Sequence, residues 1–205
     1  FLLKKAGVDV LTGEASFKNV HTVSVRLPSG EEQKLEADGV ILAAGSEAFF
    51  PPPFDKIKDK IYDNSTIFAI PSLPKTLTIV GGGVIGCEFA DLMSALGVAV
   101  SVVEMQPRIL PLEDEGAARA LAQALAKRGV KFYTGLSAQA AAEENGVFTL
   151  TLSDGRKITS DAVLAAIGRS VDLTALKMEN IGVEWTRRGV QVNPETLQLK
   201  DNIYA

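Results

Sequence analysis

Three glycines, Gly81, Gly83 and Gly86, stand directly behind the apolar run Thr76-Leu77-Thr78-Ile79-Val80, a spacing suited to holding a diphosphate. Gly81 permits a tight turn out of a strand, Gly83 lets the backbone approach a pyrophosphate with no Cβ in the way, and Gly86 lets a following helix pack close to that strand. Gly82, Val84, Ile85, Cys87 and Glu88 complete the loop and open the helix. That first turn offers unpaired N–H groups and the positive end of the helix dipole to an anion. A second β-branched run over residues 98–103 then delivers Glu104, 18 residues beyond Gly86. A carboxylate there accepts hydrogen bonds from both ribose hydroxyls of NAD. The 2′-phosphate of NADP would meet it charge to charge, an interaction of about 4 kcal/mol at close range and intermediate dielectric. The residues therefore predict NAD over NADP.

Other reactive side chains are few. Cys87 is the single cysteine, which excludes an internal disulfide and a Cys-rich metal site. A helix N-terminus could lower its pKa, but a small packed residue is the favoured reading. His21, the only histidine, sits in the alternating run Val20-His21-Thr22-Val23-Ser24-Val25 and reads as a solvent-facing strand position. Metal-ligand spacing is absent. With a net charge of −4 and a pI near 5.2 the chain has no basic footprint, so nucleic acid and anionic membranes are not expected partners. No apolar run reaches bilayer length, and a cytoplasmic setting is the default expectation.

The elements that must position these residues follow from period and punctuation. Residues 76–80 read as a buried parallel strand, 88–96 as a helix stopped at Gly97, and 98–103 as the next strand. Residues 113–128 form a helix pattern with Ala117, Leu121, Ala124 and Leu125 on one face, stopped by Gly129, and 130–134 a third strand, giving βαβαβ. Two segments echo each other. Val23-Ser24-Val25-Arg26-Leu27 leads through a Gly turn to Ala37-Asp38-Gly39 and a fully buried strand ending at Gly45. Phe148-Thr149-Leu150-Thr151-Leu152 leads likewise through Gly155 to Asp161 and a buried strand ending at Gly168. The repetition predicts two domains of related plan. The prolines Pro51, Pro52, Pro53, Pro71 and Pro74 mark a crossing between them. Residues 1–5 read as the tail of a helix and residues 191–205 as strand-like pieces without a closing helix.

Taken in order, Gly13-Glu14-Ala15, Ile41-Leu42-Ala43-Ala44-Gly45-Ser46, residues 79–88, Glu104, Ala166-Ile167-Gly168-Arg169 and Asn202-Ile203-Tyr204-Ala205 resemble the pyridine nucleotide–disulfide oxidoreductases over the whole chain, with most likeness to their dihydrolipoamide dehydrogenase branch. The resemblance implies an α/β, Rossmann-like FAD/NAD(P)-binding fold: a parallel βαβαβ sheet with a β-hairpin (meander) insertion, beside an incomplete second domain. It implies an NAD-binding domain over residues 51–170 between FAD-domain pieces at 1–50 and 171–205. Gly81 to Glu88 would wrap the NAD pyrophosphate and Glu104 would hold the adenosine ribose. Gly168 would approach the nicotinamide half, Ala138 would line the adenine side, and Glu88 would lie on the nicotinamide–flavin side. Ala15, Ala44, Gly45 and Ser46 would contact FAD, with Arg169 a weaker candidate. Arginines that hold the 2′-phosphate in NADPH-using relatives fall about where this chain has Met105 and Pro111.

This chain departs from the family pattern in two places. The family's ATGS run is Ala43-Ala44-Gly45-Ser46 here, and its GRxPN run reads Gly168-Arg169-Ser170-Val171-Asp172. The N-terminal FAD fingerprint, the CxxxxC redox pair and the C-terminal dimer domain with its His–Glu base are not in the sequence, so the resemblance implies a piece of a longer enzyme that would not turn over alone. Implied partners are NAD(H), FAD in the full-length protein, a homodimer mate through the missing domain, and a 2-oxo acid dehydrogenase complex. Other readings are a relative with a different electron acceptor, such as an NADH oxidase, transhydrogenase or mercuric reductase, and a non-catalytic NADH-sensing module.

Overall fold

Alternating β-branched runs and helical periods sort the chain into two units in the computed structural model, which describes residues 2–205. One unit comprises the residues up to Glu47 together with Arg169–Ala205; the other is Ala48–Gly168. The first opens with a one-turn helix, α1 (Leu2–Lys5), the expected helix tail; Phe1 lies outside the described residues. Strands β1 (Glu14–Asn19), β2 (Thr22–Arg26) and β3 (Glu32–Glu36) form an antiparallel meander. Two short strands follow, β4 (Val40–Ile41) and β5 (Glu47–Ala48).

The second unit carries the fingerprint. Strand β6 (Thr76–Val80) enters helix α2 (Val84–Ala95), strand β7 (Ala99–Glu104) enters helix α3 (Glu115–Lys127), and β8 (Lys131–Thr134) completes the βαβαβ succession. A second meander, β9 (Ala138–Glu144), β10 (Val147–Leu152) and β11 (Lys157–Ser160), precedes β12 (Ala162–Ala165). The parallel sheet runs β12-β6-β7-β8, with Ile79 opposite both Leu164 and Val102. Both faces are covered, as a parallel sheet requires. Leu77, Ile79 and Val102 pack with Phe89, Met93 and Leu125 from the helices. On the other face Val80, Val163 and Ala165 pack with Phe54, Phe148 and Leu150. Burying each of the larger of these side chains contributes about 1.5–3 kcal/mol.

The two helices end alike. Gly97 and Gly129 adopt left-handed backbone (φ +87° and +98°). The next amide in each case, Val98 or Val130, donates back to the carbonyl of Met93 or Leu125. Both helices thus close in the same glycine motif and turn directly into a β-branched strand. Their starts differ. The Asp114 carboxylate caps α3 by accepting from the Ala117 N–H at 2.9 Å, whereas no side chain caps α2 at Gly83.

The chain then returns to the first unit through β13 (Arg169–Ser170), β14 (Trp185–Thr186), β15 (Gly189–Val190), β16 (Gln198–Lys200) and β17 (Ile203–Tyr204). Strand β17 pairs parallel with β4 and antiparallel with β16, and Phe17, Leu173, Met178, Ile181 and Ile203 form that unit's core.

Two expectations are corrected. The fully buried strand expected to end at Gly45 is only β4, and Ile41 is 80% exposed. Strand β17 pairs with it on one edge, but nothing in the described chain covers Ile41. His21 lies in the exposed turn between β1 and β2 instead of in a strand, where its N–H donates to Asn19 Oδ1.

The β6–β12 register carries a titratable tie. One oxygen of the Asp161 carboxylate accepts from both the N–H and the hydroxyl of Thr76, at 2.9 Å each, and these bonds hold its pKa below the usual carboxylate value. A lowered folded-state pKa gives stability that is present above the unfolded pKa, near 3.9, and is lost as pH falls through the folded value. The melting-temperature gap between the native protein and Asp161→Asn is therefore expected to be full at pH 7 and to close below about pH 4. A gap constant from pH 7 to pH 3 would contradict this.

Candidate functional site

At the carboxyl ends of the parallel strands in the second unit lies a cleft of about 500 Å³. Its place follows from topology, because β6 is flanked by β7 on one side and β12 on the other, and the crevice opens where the strand order reverses. Gly81, Gly83, Val84 and Ile85 form its floor, Glu104 and Met105 one side, and Ala166, Ile167 and Gly168 the other. Ser137, Ala138, Pro51, Pro52 and Phe54 also line it.

The glycines have the shapes their spacing implied. A Cβ on Gly86 would sit 1.9 Å from the Gly81 carbonyl oxygen, so α2 can approach the loop only with glycine there. Gly81 has φ +104°, and a Cβ on it would meet the Ala166 carbonyl oxygen at 2.2 Å. Gly83 is the opposite case: a Cβ built on it meets nothing within 4 Å. Here the backbone borders open space at the uncapped start of a 12-residue helix. A helix start leaves its first N–H groups without intrahelical acceptors, and these lie beside the cleft. The arrangement fits an anion carried by a larger, partly apolar ligand.

Gly82 is buried and lines no part of that floor. Its N–H donates to Glu104 Oε2 at 2.6 Å, and its carbonyl accepts from the Leu110 N–H at 2.7 Å. Glu104 Oε1 accepts from the Gln106 N–H at 2.7 Å. The carboxylate, 7% exposed, thereby joins the end of β7 to the loop after β6 while still facing the cleft.

The remaining residues singled out by the sequence are placed as follows. Gly86 and Cys87 lie behind the loop, buried. Glu88 is exposed one turn along α2 from Val84 and lines a groove with Asn64, Phe68 and Leu92. In the first unit, Ala15 lines a cavity of about 200 Å³ with Arg26, Glu32 and Lys177. Ala44 and Gly45 are exposed on the loop after β4, and Ser46 Oγ accepts from Arg169 Nε at 2.7 Å. Reading by motif missed Ile167, Ser137 and the Pro51–Phe54 wall as cleft residues. The strand-end rule would have found Ile167, which directly follows β12 and its next residue Ala166. The prolines had been read only as a crossing. No group of described residues has metal-ligating composition.

The model of the family described as pyridine nucleotide-disulphide oxidoreductase matches residues 1–205. The chain belongs to that family. It is 39% identical over 208 residues to a dihydrolipoyl dehydrogenase of Pseudomonas aeruginosa, covering 100% of this chain and 44% of that protein. It is 34% identical over 200 residues to a soluble pyridine nucleotide transhydrogenase of Pseudomonas paraeruginosa, covering 97% and 43% respectively. Among solved structures it resembles a Cu(II) complex of a mutant of the HOCl-induced flavoprotein disulfide reductase RclA of Escherichia coli, with TM-score 0.87 and 27% identity over 100% of this chain and 47% of that one. The chain thus spans a little under half the length of the relatives it matches. Enzymes of this family use FAD and NAD(H). The Rossmann-like fold expected from the sequence agrees with both the family and these neighbours.

Helix position does not activate Cys87. Its thiol pKa is pushed up to about 11, first by burial and then by the negative charges of Glu104 and Glu88, so the helix N-terminus is outweighed. The Sγ lies 3.5 Å from the Gly82 carbonyl oxygen, to which its S–H donates. At pH 8 only about one molecule in a thousand carries the thiolate, against roughly a quarter for a free cysteine. Alkylation by iodoacetamide at pH 8 is expected to be at least about 100-fold slower in the folded protein than in guanidinium. Equal rates would show the thiol to be accessible and ionised.

Proposed function

We propose that this chain is the NAD(H)-binding portion of a flavin-dependent oxidoreductase of the dihydrolipoyl dehydrogenase type. In the intact enzyme, electrons would pass from dihydrolipoamide through a disulfide and FAD to NAD. The observation that carries the reading is the uncapped start of α2 beside open space at Gly83, with the Glu104 carboxylate at the neighbouring strand end. The 39% identity to a dihydrolipoyl dehydrogenase supports the reaction type.

Each residue has a physical task under this reading. The N–H groups of Gly83, Val84 and Ile85 bind the diphosphate, and Glu104 orients the adenosine ribose. Ala138 lines the adenine side, while Gly168 and Ile167 bound the nicotinamide half. Pro51, Pro52 and Phe54 exclude water from the apolar wall. Ala15, Ala44, Gly45 and Ser46 contribute flavin contacts. At Gly45 a Cβ would meet nothing within 4 Å, which leaves the backbone approachable. Bound cofactors supply the hydride and electron chemistry, and the protein supplies orientation and electrostatics. Homodimer formation, service to a 2-oxo acid dehydrogenase complex and a cytoplasmic setting belong to the same proposal. No described helix is long and apolar enough to cross a membrane.

The likeness to a transhydrogenase favours a second reading, in which the site serves both NADH and NADPH. Nucleotide preference separates the two. Met105 and Pro111, which line the cleft, carry no charge to hold a 2′-phosphate. Fluorescence titration of the protein is expected to give an NADH Kd at least about tenfold below that for NADPH, consistent with charge repulsion at Glu104. Equal affinities would overturn the NAD-selective reading and favour the transhydrogenase one.

A further inference from the structure

The loop between β7 and α3 contains a side chain that no part of the nucleotide reading uses. Arg108 is half-buried, and among the described residues its guanidinium donates to backbone carbonyls of its own loop. The Nη1 group donates to Ile109 O at 3.4 Å and to Leu110 O, and Nη2 to Pro111 O at 3.0 Å and Glu113 O at 2.9 Å. One planar fork thus gathers four carbonyls of residues 109–113. Within the loop so gathered, Leu110 has φ +48°, a conformation that a non-glycine residue holds only where its surroundings over-determine it.

What the strained residue achieves is specific. Its N–H donates to the Gly82 carbonyl at 2.7 Å. The preceding residue, Ile109, is 3% exposed and lies where a Cβ on Gly82 would approach its Cγ2 to 3.0 Å. Gly82 is therefore held on its N–H by Glu104 and on its carbonyl by Leu110. The Gly82 carbonyl belongs to the same peptide unit as the Gly83 N–H. Fixing that carbonyl fixes the direction of the N–H at the start of α2, because a peptide unit turns as a plane.

We infer that Arg108 is a positioning residue for nucleotide binding: by holding residues 109–113 it sets Leu110 on the Gly82 carbonyl and so aims the Gly83 N–H into the diphosphate subsite. The inference rests on the proposed NAD(H) site and adds to it a residue that touches no part of the ligand. Arg108 acts on the diphosphate end, whereas Glu104 acts on the ribose.

The two ends can be measured separately. Calorimetric titration with ADP-ribose and with adenosine compares a ligand that uses both ends with one that lacks the diphosphate. In Arg108→Gln the ADP-ribose Kd is expected to rise about tenfold or more, while the adenosine Kd changes less than about twofold. A lesion that merely loosened the unit would weaken both ligands together and overturn the inference. Arg108→Lys, a milder change suited to a case where the glutamine variant folds poorly, keeps the charge but lacks the planar fork. It should show the same selective loss; wild-type ADP-ribose affinity in the lysine variant would mean that charge, not positioning, is what matters, and would overturn the inference. Native protein that binds neither ligand would remove the nucleotide site itself, and the positioning role with it.

Discussion

The bond from the Gly82 N–H to the Glu104 carboxylate is the constraint on which the cleft depends. It is short, 2.6 Å, and shielded from solvent, and a charged acceptor makes it stronger than a neutral one. It joins the turn that ends β6 to the last residue of β7, so the two strand ends cannot drift apart without leaving a buried carboxylate underused. The Leu110 N–H closes on the other side of the same residue. These two bonds hold Gly82 from both sides, and beyond it the start of α2 faces open space. An acid at this position thus serves the fold and the proposed ligand with the same two oxygens.

Around that bond the unit repeats one device. Each helix ends at a glycine whose successor donates back three residues before the cap, and each successor is a valine entering a strand. The ends of α2 and α3 are alike. Their starts, which differ, separate structure from site: Asp114 satisfies α3 internally, while α2 is left without a side-chain cap beside the cleft. A buried helix start without partners would be costly, and one that opens on a 500 Å³ cleft calls for an anionic ligand.

Much of this was legible in the sequence because the signals are local. Strand β6 occupies the very residues expected, since a β-branched run ahead of a glycine loop has few alternatives. The glycine stops of both helices were visible for the same reason. What was hidden depends on partners remote in sequence. The segment before Gly45 has the same composition as β12, yet β12 lies in a four-stranded sheet with both faces covered, and β4 does not. Composition reports the capacity for burial, not its occurrence. The Cys87 pKa was open in sequence because helix dipole and burial pull in opposite directions, and only packing decides between them. Arg108 gave no signal at all. Its acceptors are main-chain carbonyls, which every residue possesses, so no pattern of side chains marks it. Glu88, expected on the nicotinamide–flavin side, lines a groove with Asn64, Phe68 and Leu92 that shares Ile85 with the cleft.

The most direct measurement of the central claim is hydrogen exchange of the protein with and without saturating NADH, read at peptide resolution. Protection concentrated in residues 81–86, with a second footprint at 104–106, is the predicted result, because those amides either receive the diphosphate or hold the loop that does. NADH binding that leaves exchange at residues 81–86 unchanged would contradict the account, whatever the affinity.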